Sequence, residues 1–187
     1  MTSGNFESCP ACDQRGRKVD AVTLRSLLVD EAKARLSDET PTRFCRTPGC
    51  DVVYFDEKHE QSFVTSDVKV EVFQKSSSPE RLVCYCFDHS VGRIQDEVAK
   101  TGGSTVPESI GAKCKAGLDE CELNNPQGSC CLGNVRKVIK AAIAASGGVI
   151  SEEDEAAPAC CGGDTCGVKP APTLETEDDE THDCCAV

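Results

Sequence analysis

The sequence predicts an α+β chain in three parts: a small αβ domain over residues 1–78, a helical domain over 79–148 and a disordered, acidic, cysteine-rich tail over 149–187. Three observations predict it. Cysteine accounts for 15 of 187 residues while aromatics are 4% and Trp is absent, so thiols are expected to do much of the work that apolar volume does elsewhere. Short β-branched and aromatic runs are concentrated in the first part and helix-period apolar patterns dominate the second. The formal net charge of −12 is also uneven: residues 149–187 hold 11 acids against one lysine, or −10, which leaves −2 for the first 148.

In the first part, Thr23 is placed to cap a helix with Leu24, Leu27, Leu28 and Leu36 on one face. "DVVYF" and "VKVEVF" read as strands. "QKSSSPE" (74–80) has linker composition. In the second, Asp88 is a candidate cap for a helix carrying Val91, Ile94 and Val98, stopped by Gly102-Gly103. A short helix is expected from Pro107, a turn at "NNPQGS", and a last helix from about Cys131 to Ala145 with Leu132, Val135, Val138, Ile139 and Ala142 inward. Residues 149–187 have almost no large apolar side chains and cannot offset the entropy of ordering.

The N-terminus, "MTSGNFESCPAC", has neither a basic nor an apolar signal region, and the most apolar window, "VIKAAIAASGGVI", is too short to span a bilayer. Fifteen cysteines is an odd number, which suits a closed disulfide framework poorly. A reducing, cytoplasmic setting with cysteines as metal ligands is the expectation, with no membrane insertion. The acidic balance argues against nucleic acid as a partner.

Cys9 and Cys12 form C-x2-C, and 32 residues later Cys45 and Cys50 form C-x4-C. Two such thiolate pairs can converge on a tetrahedral structural zinc, a closed site that supplies folding energy and leaves no position for substrate. Four cysteines also suit a rubredoxin-like iron; zinc is the expected metal. Further on, Cys84 and Cys86 are adjacent alternating thiols able to grip one iron of a binuclear cluster. The second pair would come from Cys114, Cys121, Cys130 and Cys131.

"CYC", a helical stretch and "CELNNPQGSCCLGNV" resemble the bacterioferritin-associated-ferredoxin-like (BFD-like) 2Fe–2S domain. "CPAC", "VTLRSLL" and "FCRTPGCDVVYF" resemble the zinc-binding half of the archaeal-type CopZ copper chaperones, which carry both cysteine sets in this order. The resemblance spans roughly residues 6–145. It implies that Cys84, Cys86, Cys121 and Cys131 bind a 2Fe–2S cluster, with Cys130 the alternate to Cys131. The gap of 34 residues from Cys86 to Cys121 is near that family's, whereas Cys114 would leave 27. Cys131 is preferred because a helix N-terminus offers free N–H groups and partial positive charge to an anionic centre. Cys114 reads as a small buried residue, and His89 as an exposed first-turn residue rather than a ligand.

In the tail, Cys160, Cys161, Cys166, Cys184 and Cys185, with His182 beside them, are soft donors suited to Cu(I), trivalent arsenic or Hg(II). The family's heavy-metal-associated domain and its M-x-C-x-x-C loop are not found here, and Met1 is the only Met. The tail is therefore expected to carry the metal in their place.

The expected function is an iron–sulfur redox metallochaperone that takes Cu(II) to Cu(I) and captures the product on thiolates. Its partners would be soft metal ions and a metal transporter or reductase. The alternatives are a ferredoxin-like electron carrier and an As/Hg-binding thiol protein. No nucleophile–base constellation suggests an enzyme, since His59, His89 and His182 all stand in polar surroundings.

Overall fold

The computed structural model describes residues 7–37 and 41–147. The tail, with Cys160, Cys161, Cys166, Cys184, Cys185 and its expected disorder, lies outside the described residues.

The first half is built on a four-stranded antiparallel meander in the order β1-β2-β3-β4: β1 (Arg17–Val19), β2 (Thr42–Phe44), β3 (Val52–Asp56) and β4 (Ser62–Val64). Registers pair Lys18 with Arg43 and Arg43 with Phe55. β3 is "VVYFD", and all five of its residues are buried. A register shift between Val52 and Tyr54, where the strand meets β4, breaks the simple alternation. As a result, Val53 and Tyr54 face one core with Leu24, Leu28, Phe44 and Phe63, while Val52 and Phe55 face Cys9 and Cys45.

The expected helix at Thr23 is two short ones, α1 (Ala21–Leu27) and α2 (Asp30–Lys33). Asp20 is the cap, its carboxylate accepting from the Val22 amide at 3.0 Å, and Thr23 is buried inside the helix. The chain turns extended at Leu28, and the Val29 amide donates to Asp67 O, so Leu36 reaches the core from beyond α2.

"VKVEVF" is not a strand. Val68 and Val72 are buried and Val70 packs beside them, but the segment's strand-type pairing among the described residues is one isolated bridge, Leu28 to Val68. The period-2 pattern is real; no neighbouring strand presents a ladder to it.

The second half opens with a small ribbon, β5 (Leu82–Cys84) and β6 (His89–Ser90). Four helices follow: α3 (Val91–Thr101), α4 (Val106–Lys115), α5 (Cys121–Asn124) and α6 (Leu132–Ala145). Ser90, not Asp88, caps α3: Asp88 sits at φ 54 in the ribbon turn, while Ser90 is extended and accepts from Arg93 N. Gly102, at φ 78, ends the helix as expected. α4 begins one residue before Pro107. α3 packs on α6, and the core between them holds Val91, Ile94, Val98, Ile110, Leu132, Val135 and Val138.

"QKSSSPE" is a turn packed against both halves rather than a free connector: Gln74 bonds Gln127 and Lys75 reaches Cys45.

Candidate metal centres

The first quartet is assembled from two knuckles. Cys9 and Cys12 stand on a turn closed by Cys9 N to Gln14 O and Asp13 N to Cys9 O. Cys45 follows β2, tied by its amide to Val53 O, and Cys50 closes a turn onto Thr47 O. Gly16 lets the first knuckle lie on the sheet: a Cβ there would come within 2.6 Å of the Phe55 ring. Arg43, also buried, ties the same corner together through Glu7 (2.6 Å), Glu57 (2.7 Å) and Gly16 O (3.0 Å).

The four sulfurs lie within 4.8 Å of one another. Cys9 Sγ is 3.9 Å from Cys50 Sγ, and Cys12 Sγ is 3.6 Å from Cys45 Sγ. With metal–sulfur bonds of about 2.3 Å, the edge of a tetrahedron of thiolates is about 3.8 Å, so the residues present fit one tetrahedral ion. Two polar neighbours complete the surroundings. Thr47 Oγ1 is 3.3 Å from Cys12 Sγ, and Lys75 Nζ is 3.4 Å from Cys45 Sγ and 2.9 Å from Thr47 O. Burial pushes the Cys9 thiol up to about 12. Burial also raises Cys12, but Thr47, the Gln14 backbone and the neighbouring thiols outweigh it and bring that thiol to about 7.

The second set comes from four places: Cys84 at the end of β5, Cys86 in the ribbon turn, and Cys121 and Cys131 at the starts of α5 and α6. Cys131 occupies the N-cap of α6, with no side-chain cap bond of its own. Cys86 Sγ is 3.8 Å from Cys121 Sγ, the same tetrahedral edge. Cys84 pairs with Cys131. The close contacts thus run between the two arms, not within the C-x-C arm. Four thiols are the donor number that an all-cysteine 2Fe–2S site takes. The contact with Cys121 lowers the Cys86 thiol to about 6, and the contact with Cys131 lowers Cys84; the same contacts, with burial, push Cys121 and Cys131 up.

Cys130 is half-buried beside the set, its carbonyl taken by Gln127 Nε2 at 2.9 Å. Cys114 packs against the helical core from α4. His89 differs from expectation: it lies in β6 opposite Cys84, half-buried, and burial lowers its pKa. The ten described cysteines are free of disulfides.

Sequence reasoning missed the groups that hold these thiols, namely Thr47, Lys75, Tyr85 and Gln127. Thr47 and Tyr85 lie inside the cysteine motifs themselves, which is the one signal that marked them.

Comparison with known proteins sets this geometry among relatives. Residues 6–69 match the family described as the zinc binding domain of CopZ type. The copper chaperone CopZ of Archaeoglobus fulgidus is 28% identical over 124 residues, 66% of this chain and 57% of that protein, so the match spans a little over half of its length. The X-ray structure of the N-terminal domain of Archaeoglobus fulgidus CopZ superposes with a TM-score of 0.60 at 25% identity, covering 70% of this chain and 96% of that one. Residues 6–69, which carry the four-cysteine cluster, thus match the zinc binding domain of CopZ type, and the chain is homologous to CopZ over the matched region.

Proposed function

We propose that this chain handles copper as a metal-binding protein with two resident centres: a structural zinc on Cys9, Cys12, Cys45 and Cys50, and a 2Fe–2S cluster on Cys84, Cys86, Cys121 and Cys131. The observation that supports the reading is that four cysteines converge as one closed quartet and four more stand as two close cross-arm pairs, in a chain similar to a copper chaperone.

The roles divide by geometry. The first quartet is closed on itself and sits against Val52 and Phe55, so zinc there supplies folding energy. The second quartet arranges its thiols as two cross-arm pairs at the N-termini of α5 and α6, with Cys84 and Cys131 buried and Cys86 and Cys121 half-buried. A cluster held there supplies one electron, which matches the single electron separating Cu(II) from Cu(I); the oxidised centre is then restored by a cellular one-electron reductant. Cu(I) is the softer ion, and the tail thiols Cys160, Cys161, Cys166, Cys184 and Cys185 are its proposed acceptors. Thiols free of disulfides suit a reducing cytoplasmic setting, and no helix of the described residues is long and apolar enough to cross a membrane. A metal transporter that receives Cu(I) is the proposed partner.

Stoichiometric mixing tests the reaction. Anaerobically reduced full-length protein given one equivalent of Cu(II) should regain the visible bands of the oxidised cluster as a Cu(I)-specific chromophore reports the product. Protein ending at residue 148 should still reduce Cu(II) but release Cu(I) to the chromophore faster. Cu(II) persisting beside a reduced cluster would refute the redox part, and equal Cu(I) retention by the shortened chain would refute the carrier part.

A further inference from the structure

The second cysteine set is held largely by the first half of the chain. Tyr85, the residue between Cys84 and Cys86, aims its hydroxyl at segment 71–73: it donates to Glu71 O and accepts from the Phe73 amide, both at 2.8 Å. The opposite arm is the loop from Asn125 to Cys131. Buried Tyr54 of β3 donates to Pro126 O at 2.8 Å. Gly128, at φ +62, lies so close to Val19 and Thr23 that a Cβ would be 2.8 Å from Val19 Cγ2. Gln74 Nε2 donates to Gln127 Oε1 at 3.0 Å, and Gln127 in turn donates to Ser129 O and Cys130 O, the residues that lead into Cys131.

Residues 71–75 are common to the Tyr85 and Gln127 contacts. Their first three residues hold Tyr85, Gln74 holds the opposite loop, and Lys75 ends on the first quartet at Cys45 Sγ and Thr47 O. A zinc with four thiolates carries two units of net negative charge, so filling the first quartet strengthens the hold on the Lys75 ammonium and with it on the whole segment.

We propose that metal in the first quartet sets the geometry of the second through residues 71–75, with Lys75, Gln74 and Tyr85 as positioning residues. The inference rests on reading the second quartet as a cluster site. Loading is then ordered, zinc first and cluster second, and a chain lacking zinc holds its cluster poorly.

The test is anaerobic reconstitution of the full-length chain with iron and sulfide, with and without zinc, following cluster half-life under a chelator and visible circular dichroism. A zinc-loaded chain that forms no cluster would overturn the cluster reading itself. A cluster with the same half-life and dichroism in both preparations would overturn only the coupling. The expected result is a half-life shorter by about tenfold without zinc, the scale of effects from groups surrounding metal ligands.

Because the zinc-free chain could lose structure as a whole, two variants isolate the path. Lys75→Met should lose zinc about tenfold faster and alter the cluster dichroism, with Lys75→Arg restoring both. Tyr85→Phe should leave zinc release unchanged and shorten cluster half-life. Lys75→Met that weakens zinc while cluster dichroism and half-life stay as in the parent would overturn the proposal, as would Tyr85→Phe with an unchanged cluster.

Discussion

Among single residues, thiols of one quartet differ because their neighbours differ. Cys12 is brought to about 7 by hydrogen bonds that outweigh its burial, while burial takes Cys9 to about 12. The thiolate is the reactive form. In metal-free protein at pH 8, iodoacetamide should therefore label Cys12 well before Cys9, as peptide mapping by mass spectrometry would read out. Zinc should protect both, and the protection should fade as acid protonates the ligands, since binding releases protons. Glycine carries a second prediction. Gly128→Ala forces a left-handed residue against Val19 and should cost about 1–3 kcal/mol in denaturant unfolding. The cysteine spacing made the first quartet legible, because two knuckles that close locally need only one long-range meeting. The cross-arm pairing of Cys84 with Cys131 and Cys86 with Cys121 was not legible. It is set by Tyr85, Tyr54 and Gln127, polar contacts between distant segments that leave no periodic trace.

Elements were readable where one strong local signal stood alone. The last helix was expected from about Cys131 to Ala145, and α6 spans Leu132–Ala145 with Cys131 as its N-cap. Gly102 likewise ended α3 where expected. Reading failed where two local signals competed. Asp88 and Ser90 are equally good caps by residue type, and the β5–β6 ribbon decides between them by bending the chain left-handed at Asp88. Ser90→Ala should cost about 1 kcal/mol and Asp88→Ala less from capping, measured by thermal melts at fixed metal content. "VKVEVF" failed for another reason: alternation tells which side chains turn inward, not whether a partner strand exists. The α3–α6 contact is the main apolar support of the second half. Ile94 is 1% exposed at its centre, so Ile94→Ala should cost about 2–5 kcal/mol in chemical denaturation.

Over the whole molecule, the two halves have separate apolar cores but share polar fastenings. Buried Tyr54 spans from the sheet to Pro126, and residues 71–75 bond Cys45 of the first set and Tyr85, the residue between Cys84 and Cys86. This changes the meaning of "QKSSSPE": its composition is that of a linker, yet Gln74 bonds Gln127 of the second half and Lys75 bonds Cys45 and Thr47 of the first. With aromatics at 4%, the chain has little spare apolar volume, and metals are expected to supply part of its stability. The central claim is that the two quartets hold different centres, one zinc and one 2Fe–2S cluster. The most direct test is the content of iron, zinc and acid-labile sulfide per chain in protein purified without oxygen, read with its visible spectrum. About two irons, two sulfides and one zinc, with thiolate-to-iron charge-transfer bands, are expected. About two zincs with no sulfide and no visible bands would contradict the account, leaving the second quartet a structural zinc site and the chain without a redox centre.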